Sequence, residues 1–358
     1  MRRSPISAAI RGCGKRPAAR LRVTIGRRRK HKRRPMNRSG MLAASLCLGA
    51  GLVLGPAANA ADTISVGTVG QASANLWPVF IGLDKGFFAA ENLNLDVLYV
   101  QSSAQIVQQL TSGSLEVSIS TGLVDPMRAI GMGAPIAVVR VEIQAPPYAM
   151  LAKPSIKSLK ELKGKVVSLG GPKDITRIYV ERMLEPNGVK PGEFDMVFAG
   201  ATVARASALL AGAVDAAILL PPFNFQTEAA GFNNLGLTID YARDLPFSGI
   251  AVNARWANEH KALLQRILAA HTRSIAWFED DRNRNEAVRI LVAASKLKQE
   301  DVEKAYDFMR KGHFFESSGK VSRSKMSALS KAMVSLGDLA ETIDVSRVVL
   351  PGVSELTD

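Results

Sequence analysis

Residues 67–80, "GTVGQASANLWPVF", place Gln71, Ser73, Asn75 and Trp77 at alternate positions after a short strand-like run. Comparable groups follow other such runs. Ser102 and Ser103 come after "LDVLYV", Thr121 and Gly122 close "LEVSISTG", and Gly170, Gly171 and Asp174 follow "GKVVSL". Pro222 and Phe223 come after "DAAILL". Amides, hydroxyls and glycine backbone bind a ligand without transforming it, and an aromatic ring offers a flat wall. Where a strand runs into a helix, the first helical N–H groups are free and favour anionic or strongly polar groups. The candidate ligand-binding set is therefore Gln71, Ser73, Asn75, Trp77, Ser103, Thr121, Gly122, Gly170, Gly171, Asp174, Pro222 and Phe223. Several of these also have plain structural readings. Trp77 fits the core of its own helix, Gly170-Gly171 a tight turn, and Asp174 a helix N-cap. Lys173 and Arg177, one turn apart, read as surface charge.

Reactive chemistry is thin by comparison. Both cysteines, Cys13 and Cys47, precede residue 60, so disulfides and thiolate or cysteine–metal sites are excluded from the rest. His271 sits between Ile267 and Ile275 on an apolar helical face and reads as a core histidine. His260 starts a helix and His313 lies in a loop, without paired spacing for a metal. "GTVGQ" and "GGPKD" match neither the dinucleotide fingerprint nor the phosphate-binding loop. No G-x-S-x-G occurs. A non-enzyme with no metal and no cofactor is expected.

The elements that position these residues alternate. Strands at 64–69, 95–100 and 115–121 enclose helices at 77–90 and 104–111, and strands at 164–171, 195–200 and 215–220 enclose helices at 174–184 and 203–211. This β-α-β-α-β order predicts largely parallel sheets flanked by helices. Gly86 is expected to break the first helix, with Phe87 and Phe88 plugging the gap beneath and residues 92–94 turning into the next strand. Leu110, Gly113 and Glu116 recur as Leu209, Gly212 and Asp215, each 99 residues later, and a proline follows in both cases (Pro126, Pro222). That echo favours two related lobes. Beyond about residue 257 the pattern is helical, with further helices expected at 285–294, 299–310 and 322–336. "APPYAMLAKP" (145–154) and "PFSGIAVNARW" (246–256) read as extended crossovers between lobes, a two-strand hinge.

The net charge of +14 belongs to the leader. Residues 1–60 carry 15 of the 46 Lys and Arg residues and no Asp or Glu, leaving 31 basic against 32 acidic residues beyond. A nucleic-acid partner is therefore not indicated. The stretch from Met36, the expected true start, has a basic residue (Arg38), a 14-residue apolar run (41–54), Pro56 and then Ala58-Asn59-Ala60. This is a secretory signal pattern with cleavage between Ala60 and Ala61. The run is short for a span, which takes roughly 20 residues, although a retained anchor stays open.

Five segments in order carry a family resemblance: "GLDKGFFAAENLNLDVLYV", "LTSGSLEVSIST", "IKSLKELKGKVVSLGG", "LLAGAVDAAILLPP" and "WFEDDRNRNEAVRILVAAS". Together residues 62–345 resemble periplasmic substrate-binding proteins of ABC importers, in the branch of taurine, alkanesulfonate, nitrate and thiamine-pyrimidine binders. The resemblance implies the type II periplasmic-binding-protein fold, two α/β lobes joined by a two-strand hinge with a ligand cleft between them. Lobe 1 would comprise residues 62–148 and 250–358, and lobe 2 residues 149–249. It further implies a periplasmic monomer that hands a small solute to ABC permease subunits. "GGPKDIT" stands where many relatives have a serine- or threonine-rich turn, and "TVGQASANLW" is unusual, so the ligand stays open between a small organic anion and a polar heterocycle. The alternatives are an enzyme on this fold, related to thiamine-pyrimidine synthesis, and a ligand sensor. A DNA-binding sensor would need a domain that residues 1–60 cannot supply.

Overall fold

The structure is a computed structural model describing residues 60–358. The leader and the signal sequence as far as Asn59 lie outside the described residues. Ala60 and Ala61 are exposed immediately before the first strand.

Ten strands form two five-stranded sheets: β1 (Asp62–Val69), β2 (Leu93–Val100), β3 (Val117–Gly122), β4 (Ile136–Ile143), β5 (Ala149–Ala152), β6 (Val166–Leu169), β7 (Asp195–Phe198), β8 (Ala216–Leu219), β9 (Asn233–Leu237) and β10 (Ser248–Asn253). The sheet orders are β2-β1-β3-β10-β4 and β7-β6-β8-β5-β9. The first three strands of each are parallel, and the last two join antiparallel. The sheets are thus mixed, where the alternating pattern predicted largely parallel ones. The reason is topological: β5 and β10 each arrive from the other sheet and insert against the direction of their neighbours. The chain passes between sheets after β4 and again after β9, and in both crossovers the regular strand is shorter than the extended segment expected.

In the first lobe α1 (Trp77–Asp84), α2 (Phe87–Ala90), α3 (Ser103–Ser112) and α4 (Val124–Gly131) connect the strands. In the second, α5 (Ile175–Leu184), α6 (Thr202–Leu210), α7 (Phe223–Ala229) and α8 (Ile239–Ala242) do so. After β10 come α9 (Ala254–Glu259), α10 (Lys261–Phe278), α11 (Arg284–Ser295), α12 (Gln299–Lys311) and α13 (Arg323–Ser335). Gly86 takes φ 68° between α1 and α2, a conformation open to glycine, and Phe88 is buried beneath the break. β4 and β9 were not expected. In β4, "IAVVRVEI", every residue is buried, including Arg140 and Glu142, and their charges interrupt the apolar signal.

The echoed glycines do the same work in both lobes. Gly113 (φ 79°) ends α3, and Gly212 (φ 75°) follows α6. Each turns the chain into the third parallel strand of its sheet. That turn sets the strand ends, and the helices leaving them, toward one common edge.

Candidate functional site

In both sheets the parallel strands end toward the gap between the lobes, where ligands of open α/β sheets sit. The cleft there is narrow, with a cavity volume of about 40 Å³, and is lined from both lobes. Ser73 and Asn75 follow β1, Ser102 and Ser103 start α3, and Ser120 and Gly122 end β3. Opposite them stand Gly170 and Asp174 after β6, then Thr202 and Arg205 of α6. Tyr148 and Phe247, from the two crossovers, close the side with an edge-on ring contact at 5.0 Å.

Six expected residues are brought together here: Ser73, Asn75, Ser103, Gly122, Gly170 and Asp174. Asp174 also caps α5, its Oδ1 accepting from the Thr176 backbone N–H and hydroxyl at 2.8 and 2.5 Å. The other six lie elsewhere. Trp77 is fully buried, donates Nε1–H to the Ala287 carbonyl at 2.8 Å, and packs on Phe278 and Tyr306. The aromatic wall of the cleft is instead Tyr148 and Phe247. Thr121 is fully buried and outside the lining, whereas Ser120, itself buried and at φ 55°, borders the cleft. Gln71 and Phe223 border a separate groove beside α6. Pro222 precedes α7, and Gly171 stands one residue outside the lining.

Arg205 was missed. It is 3% exposed, and its guanidinium donates from Nε to the Ile218 carbonyl at 2.9 Å and from Nη1 to the Gly200 carbonyl. The Tyr148 ring lies 5.8 Å from its centre. Burial pushes the Tyr148 hydroxyl above its usual range, Arg205 pulling the other way, so it stays a neutral donor at physiological pH.

The lobes touch across the cleft mouth. The Ala74 N–H donates to the Pro221 carbonyl at 2.8 Å. Gly200 (φ 69°) lies so close that a Cβ would stand 2.7 Å from the Gln101 carbonyl oxygen. On α4, Arg128 holds Asp125 at 2.5 Å and donates to the Lys173 carbonyl of the second lobe at 2.6 Å. It also reaches Asp338 at 3.2 Å. Burial, with Asp174 and Asp338 adding repulsion, pushes the Asp125 carboxyl up to about 6 against the pull of Arg128. The folded, closed protein therefore holds a proton that the unfolded chain releases near pH 4. This contribution is full at low pH and is lost as pH rises from about 4 to 6, amounting to about 3 kcal/mol for two units. In urea denaturation at pH 4 to 7, the wild-type minus Asp125→Asn stability difference should fall with rising pH. A flat difference would contradict the shift.

Behind Ser120 runs a buried string. Its Oγ lies 2.6 Å from Glu142 Oε2 and 2.9 Å from the Asn75 carbonyl, and His271 Nε2 meets Glu142 Oε1 at 3.0 Å. Burial lowers the His271 pKa, although Glu142 opposes this. The carboxylate stands between serine and histidine, so this histidine cannot take the serine proton as a hydrolytic triad requires. Among the described residues, no cluster of metal-ligating side chains was found and no helix is long and apolar enough to cross a membrane.

The NMT1/THI5-like family matches residues 73–283. The fold is similar to that of the alkanesulfonate-binding protein SsuA from Xanthomonas axonopodis pv. citri bound to MOPS. The TM-score is 0.67 at 16% identity, over 80% of this chain and 97% of that one. The periplasmic nitrate-binding protein NrtA from Synechocystis PCC 6803 gives TM-score 0.59 at 18% identity, over 68% of this chain and 69% of that one. The desulfurization enzyme DSZB gives 0.61 at 14% identity, over 82% and 97%. No curated protein matches the sequence.

Proposed function

The chain belongs to the NMT1/THI5-like family, and on that premise we propose that it is an exported solute-binding protein of the periplasm. It captures a small organic ligand between its lobes and delivers it, as a monomer, to the permease subunits of an ABC importer. The observation that carries this reading is the composition of the cleft. Both lobes line it with hydroxyl and amide groups, and the Asn75 amide is 3% exposed with an Oδ1 that has no partner. A buried acceptor of that kind costs stability until a ligand donor meets it. Lobe contacts at Gly200 and Arg128 supply the closed state that such a ligand would lock.

An enzyme on this fold is the second reading, kept because of the likeness to DSZB. The order of Ser120, Glu142 and His271 speaks against it. Thermal-shift screening against sulfonates, carboxylates, nitrogen heterocycles and nitrate separates the two. A ligand at 100 times its Kd should stabilise the protein by about 2.7 kcal/mol and be recovered unchanged. Chemical conversion of the stabilising compound would sink the binding-protein reading. N-terminal sequencing of exported protein should begin at Ala61.

A further inference from the structure

Resting on the binding-protein reading, we infer that the ligand carries a negatively charged group, and that this group is held by Arg205 at the start of α6. A guanidinium taken out of water is costly unless a counter-charge accompanies it. Arg205 is 3% exposed and lines the cleft, yet its protein partners are two backbone carbonyls and the ring and hydroxyl of Tyr148, all of them neutral. Among the described residues no carboxylate pairs with it. Asp174, which shares the cleft, has its Oδ1 engaged by Thr176. These contacts still leave some of the five guanidinium N–H groups unspent, in the planar fork that suits a carboxylate, sulfonate or similar oxyanion.

A second observation points the same way. α6 has Ala201 at its N-cap, which offers no side-chain acceptor. The Thr202 and Val203 N–H groups have no acceptor among the described residues, and Thr202 faces the cleft. An anion beside Arg205 would thus meet both a fixed charge and unfilled helix N–H groups. From the other lobe Ser102 and Ser103 open α3 onto the same cleft, and the unpartnered Asn75 amide serves the uncharged part of the ligand.

Isothermal titration with small carboxylic and sulfonic acids, their primary amides and the matching amines tests this. The acids should bind the wild type, and the amides and amines should bind at least 100-fold more weakly. Arg205→Gln should lose at least 100-fold of acid affinity, and Arg205→Lys, which keeps the charge without the fork, about 10-fold or more. Circular dichroism confirms folding of each variant, and the lysine variant decides the question should the glutamine variant not fold. Equal or tighter binding of amides or amines, or acid binding unchanged in Arg205→Lys and Arg205→Gln, overturns the inference while leaving solute binding intact. Turnover of a bound acid would overturn the binding-protein reading and leave Arg205 as its anchor. Binding of none of the three classes overturns the inference.

Discussion

Trp77→Ala is expected to cost about 3–5 kcal/mol of folding stability, the usual range for a large aromatic removed from a packed core, without weakening ligand binding by the protein that remains folded. The indole is fully buried, with ring centroids 5.1 Å from Phe278 and 5.9 Å from Tyr306. It also donates a second hydrogen bond to the Ala287 carbonyl, which ties α1 to α11. Alanine would leave a cavity and remove the indole tie to α11 together. Trp77→Phe should fall between, since it keeps most of the volume but not the donor. Urea denaturation gives the stability and titration of the folded fraction the affinity. A variant of normal stability but lost affinity would return Trp77 to the cleft wall.

The second large effect belongs to Gly200. An alanine there would place its Cβ 2.7 Å from the Gln101 carbonyl oxygen of the opposite lobe. Backbone gives way less readily than a side-chain tip, so the lobes must part. Gly200→Ala should weaken ligand affinity by about 10- to 100-fold, or about 1.4–2.8 kcal/mol. Gly212→Ala is the matched control. Its φ of 75° imposes similar backbone strain, of about 1–2 kcal/mol, but nothing lies within 4 Å of its added Cβ. It should lose stability and keep affinity. Small-angle scattering should show Gly200→Ala staying extended with ligand present. Equal affinities for the two variants would rule out Gly200 as a closure contact.

How much of this was legible in the sequence depended on how local the cause was. The break at Gly86 and the turn after Gly113 follow from backbone freedom at single residues, and so could be read directly. Asp174 as an N-cap needed only its neighbour Thr176. Residues whose role depends on distant chain were not legible. Tyr148 and Phe247 meet only because both crossovers run side by side. Ser120, rather than Thr121, borders the cleft, at a positive φ that a serine seldom adopts. Arg205 stands in its helix without a motif around it, yet a clue was present. It is the lone charged residue between Asp195 and Asp215, and an isolated charge on an otherwise apolar helix is positioned for something.

The interleaved strand order also dictates when the protein can fold. The strands of the second sheet, β5 to β9, are contiguous in the chain, and that sheet can assemble from its own residues. In the first sheet β10 stands between β3 and β4, so β4 has no strand beside it until residues 248–253 arrive. A nascent chain ending before β10 would hold a three-stranded fragment and an unpaired apolar strand. High contact order of this kind slows folding. The first sheet thereby stays incomplete until residue 253 of the 358 has been made, a delay that would suit the export proposed above.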